Sequence, residues 1–340
     1  MAWCCENCFS DRKILSNLTS EGIDNCAFCG SKQVEVYNTI DLADNFELLL
    51  SQYERFKDES STISIATILQ QDWDLFAKDM DIPTINQLFC SSDFYHRYEG
   101  ITIRARVNRL SGDQQWASFS DSIVLHNRFF PTLSIPLADV NAFMDYLSIT
   151  VDSSVPLYRA RINSIKDSRW VAADMGAPPS GFAKGGRANP THLPYLYVDT
   201  SPETAIAEIR PHKGAFVSVS QLSLRYPKHI IDFSKLDTHL SPFLVGDDRL
   251  DKLFLLRPFL DSLPKKYCTP IQPEDESINY LPTQYLCEFI KSMGYDGVKY
   301  HSSLHDSGDN IAFFSVNCCE IGVPSVHKVD GIQVLYSIAK

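Results

Sequence analysis

Tyr195-Leu196-Tyr197-Val198-Asp199-Thr200-Ser201-Pro202-Glu203-Thr204-Ala205-Ile206-Ala207-Glu208-Ile209-Arg210 is the stretch on which the fold turns. Tyr195–Asp199 is rich in aromatic and β-branched residues and predicts a strand. Asp199, Thr200 or Ser201 can cap a following helix, and Pro202 suits its first turn. The helix is predicted over Ser201–Arg210, with Ala205, Ile206 and Ile209 as its apolar face. Glu208 sits on the flank of that face, a position open to a solvated carboxylate or to a half-buried functional one.

Working outward, strands are predicted at Leu157–Ile162, Ala215–Val219, His229–Phe233, Val298–Tyr300 and Ile311–Phe314. A helix is predicted at Thr283–Met293, with Pro282 at its start and Gly294 past its end. Ala173–Pro194 is a long loop rich in Gly and Pro. Strand runs broken by occasional helices predict an α+β fold rather than regular βαβ alternation. Toward the N-terminus, helices are predicted at Asp41–Phe56, Ile65–Phe76, Thr84–Cys90 and Ala138–Leu147, with a strand at Ile101–Val107. Three parts follow: a cysteine-rich cap at 1–32, a mostly helical domain at 33–150, and a second domain at 151–340.

The chain has 340 residues and a formal net charge of -11, with 44% hydrophobic and 21% charged residues. That is a globular composition. No apolar run approaches the roughly 20 residues that cross a bilayer. The start, Met1-Ala2-Trp3-Cys4-Cys5-Glu6, lacks a secretory signal, so the expectation is a cytoplasmic protein with no membrane partner. Residues 1–150 carry 11 basic and 21 acidic residues, whereas the rest carries 20 and 21. The acidic first half argues against a nucleic-acid footprint.

Of the ten cysteines, five lie in the first 29 residues. Cys5-x2-Cys8 and Cys26-x2-Cys29 have the spacing of two knuckles that close a tetrahedral Cys4 site, so a structural Zn2+ is expected, with Cys4 a substitute for Cys5. Gly30 supplies a turn after the second knuckle. The alternatives are a redox pair or a nucleic-acid zinc ribbon. Four thiolate ligands leave no open catalytic position.

Ser180–Pro190 joins flexible glycines to Lys184 and Arg187, a combination that can cradle an anion or be plain surface loop. Tyr300-His301-Ser302-Ser303 ends a strand in hydroxyls, and Asp306-Ser307-Gly308-Asp309-Asn310 turns into the next.

Taken in order, Leu157-Tyr158-Arg159, Gly186-Arg187-Ala188-Asn189, Leu196-Tyr197 with Thr200-Ser201-Pro202 and Ala207-Glu208, then His301-Ser302-Ser303 with Gly308-Asp309-Asn310, resemble the motifs of the RES domain family over roughly 153–318. The first 150 residues resemble the zinc-containing HEPN/RES region found ahead of some RES domains. The resemblance implies an ADP-ribosyltransferase-like fold that consumes NAD by hydrolysis or phosphorolysis, as a bacterial toxin or antiviral effector. It implies Arg159, Glu208 and Ser302 as catalytic residues and Arg187, Tyr197 and Asn310 as substrate-binding ones. It also implies a protein inhibitor or activator, and a homo-oligomer is expected. The family's tryptophan is replaced by Ala188, Ser303 rivals Ser302, and Leu236–Tyr280 is long for the family. Two other readings stand beside this one: a non-catalytic binding module with an inactive RES domain, and an ADP-ribosyltransferase acting on a macromolecule. The Arg-x4–6-His motif of metal-free RNases has one match, Arg187 to His192, but that match contains Pro190 and lies in a loop.

Overall fold

The computed structural model describes residues 2–56, 64–92, 102–107, 109–164, 169–234, 240–269, 271 and 275–333. Contacts divide the chain into two compact units, 1–111 with 239–257, and 112–238 with 258–340.

In the first unit, β1 (Trp3–Cys5), β2 (Gly22–Asp24) and β3 (Val34–Asn38) form a small antiparallel sheet in the order β1-β3-β2. Three helices follow, α1 (Ala43–Leu50), α2 (Ile65–Trp73) and α3 (Ile82–Ser91), and between α1 and α2 runs the strand β4 (Tyr53–Phe56). Ser64 and Asp81 cap α2 and α3 by accepting from Thr67 N and Thr84 N, which satisfies backbone donors that a helix start leaves free. Strand β5 (Thr102–Ala105) pairs antiparallel with β4. The predicted helix over Asp41–Phe56 is therefore shorter, and its last residues are strand. The spacing of Tyr53 and Phe56 suits either form. Pairing decides: the Gln52 carbonyl accepts from Arg106 N at 3.0 Å, which continues the ladder. Ile101, the first residue of the predicted strand there, lies outside the described residues.

The cysteine-rich segment is seated on this unit's helices. Ser10 N donates to Leu75 O at 3.0 Å, Ala77 N donates to Cys8 O at 3.0 Å, and Phe9 stacks on Phe76 at 5.9 Å. Phe46, Leu49, Leu69, Trp73 and Phe76 are the fully buried centre.

In the second unit, α4 (Gly112–Asp121) and α5 (Leu137–Leu147) precede a nine-stranded sheet. Its strands are β6 (Ser148–Val151), β7 (Leu157–Ile162), β8 (Leu196–Asp199), β9 (Phe216–Leu224), β10 (Lys228–Phe233), β11 (Gly297–His301), β12 (Asp309–Phe313), β13 (Cys319–Ile321) and β14 (Ser325–Lys328). The order is β13-β9-β7-β8-β12-β11-β10-β6, with β14 also on β9. Among the described residues, β10 pairs with β11 parallel and the other pairings of this sheet are antiparallel. The expected boundary at Thr150 falls inside β6.

The helices of this unit are α6 (Pro202–Glu208), the second part of α7 (Asp247–Cys268), α8 (Glu276–Asn279) and α9 (Leu281–Ser292). Helix α7 is not legible in the sequence because Pro258 and Pro264 lie inside it. Pro258 has no N–H to give the Phe254 carbonyl four residues back. Arg109 supplies the donor instead, at 3.4 Å.

Strands β8 and β12 sit in the middle of the sheet, and one face of it buries Leu157, Leu196, Val198, Ile230, Ile311 and Phe313. These are the alternate residues of their strands, as a period of two requires. Truncating a buried phenylalanine costs about 3–5 kcal/mol, and Phe313 is 1% exposed. Phe313→Ala is expected to lose that much in urea unfolding; a loss below about 1 kcal/mol would contradict this core.

Candidate functional site

Helix α6 begins at Ser201, whose side chain accepts from Thr204 N at 3.1 Å, with Pro202 in the first turn. One short helix later the chain reaches Glu208. Its Oε1 accepts two hydrogen bonds, from Ser302 Oγ and from Asn310 Nδ2, each at 2.7 Å. Among the described residues Oε2 takes none.

The direction of the serine bond is forced. A hydroxyl has one hydrogen and two acceptor positions. Leu304 N and His305 N both donate to Ser302 Oγ at 3.1 Å, which leaves the hydrogen for Glu208. Of the two candidate serines it is Ser302, 3% exposed, that meets the carboxylate. The loop that holds it closes through Ser302 N to Gly308 O at 2.9 Å. Gly308 packs directly on α6: a Cβ there would lie 1.8 Å from Thr204 Oγ1, which is itself bonded to Ser201 and His305.

Asn310 reaches Glu208 from β12, where it pairs with Tyr300 on β11 and Asp199 on β8. Its Oδ1 is buried without a partner among the described residues. Arg159, on β7, donates to the Tyr197 carbonyl, and its Nε is likewise buried and unpartnered. Burial, reinforced by Arg161, pushes its pKa down to about 10.

Arg159, Tyr197, Asp199, Glu208, Tyr300 and Asn310 share one cavity of about 240 Å³, completed by Ala160, Ala205 and Ile209. From sequence, Asp199 is only a possible helix cap and Tyr300 has no assignment, because neither stands out as a site residue by type or spacing. Burial, with Glu208 adding to it and Arg159 opposing, pushes the Asp199 carboxyl up to about 8. Burial also drives the Tyr197 and Tyr300 hydroxyls upward.

Arg187 does not line this cavity. Its guanidinium donates to the Tyr267 carbonyl and lies 5.5 Å from the Tyr280 ring centre and 5.7 Å from that of Tyr300. Its loop is held from α9, by Gln284 Nε2 on Gly186 O at 2.8 Å and Thr283 Oγ1 on Arg187 O at 2.7 Å. Tyr197 fastens the same loop from below: its hydroxyl donates to Asn189 Oδ1 at 2.7 Å and accepts from Ala188 N at 3.2 Å. A larger cavity of about 690 Å³, walled by Phe129, Gly185, Gln284 and Tyr285 among others, contains none of the six residues.

In the first unit, the sulfurs of Cys5, Cys8, Cys26 and Cys29 all lie within 4.8 Å of one another. Cys5–Cys29 is 3.4 Å and Cys8–Cys26 is 3.3 Å. A tetrahedral ion with Zn–S bonds of about 2.3 Å puts its sulfurs about 3.8 Å apart, so this donor set fits zinc. Phe28 N donates to Cys26 Sγ at 3.4 Å, and Gly30 turns the chain at φ +75°. Cys4 is outside the cluster, its thiol directed to the Tyr37 carbonyl at 3.6 Å.

A family model described as RES domain matches residues 156–330. No curated protein matches the chain. Among solved structures, one chain of the M. tuberculosis MbcT-MbcA toxin-antitoxin complex is 10% identical, covering 56% of this chain and 91% of its own, with a TM-score of 0.30. Among the described residues no helix is long and apolar enough to cross a membrane.

The cysteine cluster yields a direct expectation. Protein purified without chelator should carry one zinc per chain by atomic emission. Cys4→Ser should keep it and Cys5→Ser should lose it. Chelation should lower the thermal midpoint, since metal affinity here is folding free energy. Metal-free protein, or zinc lost equally from both variants, would contradict the assignment.

Proposed function

Because the chain belongs to the RES domain family, we propose that it is an NAD-cleaving enzyme that breaks the bond between nicotinamide and ribose. The observation that supports this most is the carboxylate of Glu208, oriented by Ser302 and Asn310 at the wall of a partly buried cavity.

The chemistry asks for little acid catalysis. When the C1–N bond breaks, its electron pair neutralises the positively charged nicotinamide ring, a good leaving group. The ribose is left oxocarbenium-like, as in glycoside hydrolysis. Glu208, with Oε2 open to a ligand, holds a ribose hydroxyl and stabilises the growing positive charge. Water or inorganic phosphate then bonds to C1, giving ADP-ribose and a proton, or ADP-ribose 1″-phosphate.

The other residues position the substrate. Asn310 holds the Glu208 carboxylate at the cavity wall, and Arg159 brings its positive charge to the same wall. Tyr197 offers its ring to the cavity while its hydroxyl fastens the glycine loop. Arg187 shapes that loop from outside the cavity, and its charge acts on the diphosphate. The cavity is below the about 300 Å³ at which drug-sized ligand pockets begin, so it takes the nicotinamide–ribose part and leaves the rest of NAD outside it. The catalytic segment in this reading is 151–340. The zinc is structural, and the chain is a cytoplasmic toxin or antiviral effector under the control of a protein partner.

Incubation with NAD, with and without inorganic phosphate, tests this. Free nicotinamide is expected in both cases, and the identity of the ADP-ribosyl product reports the acceptor. No release of nicotinamide from the metal-replete protein would overturn the proposal. Ser302→Ala removes one of two hydrogen bonds to a charged acceptor, each worth about 1.5–3 kcal/mol. Its kcat is expected to fall about 10- to 100-fold; unchanged kcat would remove Ser302 from the site.

A further inference from the structure

Asp199 is a buried carboxyl to which the reading above gives no task. It ends β8 and is 8% exposed. Its backbone is fixed from both sides, by Tyr158 on β7 and Asn310 on β12. Among the described residues, no donor is bonded to either of its carboxyl oxygens, and neither oxygen belongs to the buried side-chain atoms sealed without a partner. Native proteins rarely leave a buried carboxyl without hydrogen bonds. These oxygens therefore look into the cavity that Asp199 shares with Glu208.

The charged and titratable groups around it are few. Glu208 comes from α6, Arg159 from β7, Tyr197 from its own strand and Tyr300 from β11. Two carboxylates in so small a space cannot both ionise cheaply, and Arg159 is one cation against two anions. Glu208 already accepts two hydrogen bonds. Asp199 has none, so it is the one that keeps its proton. Two carboxyls in such different settings, one hydrogen-bonded twice and one not at all, can take different tasks.

We propose that Asp199 is a substrate-contacting residue whose neutral carboxyl donates a hydrogen bond to the ribose held by Glu208. The two side chains then grip one sugar by opposite means, one accepting and one donating. This rests on NAD being the substrate. No bond to carbon is made or broken by Asp199, and its proton stays on it throughout.

The sign with pH follows. The donor exists below about pH 8 and is lost above it. Arg159 titrates higher, near 10, and the two tyrosines higher still. Stability moves as well. Asp199 would ionise near pH 3.9 in the unfolded chain but near 8 in the folded one, so the folded state holds an extra proton between those values. Stability must fall as pH rises through that window. An asparagine has no such loss.

The experiment measures binding of carba-NAD, whose ribosyl ring oxygen is replaced by a methylene so that it is not cleaved, by calorimetry from pH 6.5 to 9.5. The parent's affinity should fall by up to about tenfold per pH unit above 8, while Asp199→Asn binds with no such fall. Thermal midpoints form the second arm: Asp199→Asn should be more stable than the parent at pH 8, and the two should converge near pH 4. A variant with the parent's pH profile, a parent whose binding is flat, or midpoints that do not converge would overturn the role of Asp199. Those results leave NAD cleavage standing if nicotinamide is still released. Failure of both carba-NAD binding and nicotinamide release would overturn the NAD reading, and this proposal with it.

Discussion

The second unit is organised around a single carboxylate oxygen. Glu208 Oε1 takes hydrogen bonds from Ser302 and Asn310, residues 94 and 102 positions further on. For both to arrive within 2.7 Å, three elements must end in register. Helix α6 must be capped at Ser201 and stop at Glu208. Strand β12 must pair with β8 so that Asn310 faces Asp199. The loop after β11 must fold back so that two backbone N–H groups saturate the Ser302 oxygen. Gly308 is where that loop touches the helix, and any side chain there would displace Thr204. The site is thus a consequence of the sheet's central strands, and the apolar core beneath them is what fixes its geometry.

The same arrangement works against stability. Arg159 and Asp199 are charged residue types placed at a cavity with few partners, and burial shifts both toward their neutral forms. In the proposed reading a ligand completes the hydrogen bonding of Asp199, the usual trade of stability for function. Arg187 is the contrast: one of its N–H groups goes to a backbone carbonyl and its guanidinium lies by two aromatic rings, so it shapes the loop from outside the cavity.

Much of this was legible in the sequence where local chemistry is strong. Ser201 and Pro202 announced the start of α6, and the four cysteines announced their cluster by spacing alone. Arg159, Tyr197, Glu208, Ser302 and Asn310 could be singled out by the order of their motifs, and the fold brings them together. Legibility failed where partners distant in sequence decide. Tyr53–Phe56 has helical spacing but is strand because β5 pairs with it. Helix α7 contains two prolines and is held partly by Arg109, more than a hundred residues away. Asp199 was read only as a possible helix cap. Its burial beside Glu208 depends on β7 and β12, which no local pattern reveals. That Arg187 reaches the Tyr267 carbonyl from outside the cavity depends on α7, which no local pattern reveals.

The central claim is that Glu208 stabilises charge that develops when the glycosidic bond breaks. Glu208→Gln keeps the size and the Oε1 acceptor, and its amide can donate to the ribose hydroxyl that Oε2 accepted from, but the charge is gone, so the loss should fall on the chemical step rather than on binding. Measuring kcat and the dissociation constant for NAD in that one variant separates the two. The account predicts that kcat drops about 10²–10³-fold while the dissociation constant and thermal midpoint stay close to the parent's. A Glu208→Gln protein that turns over NAD like the parent would contradict it.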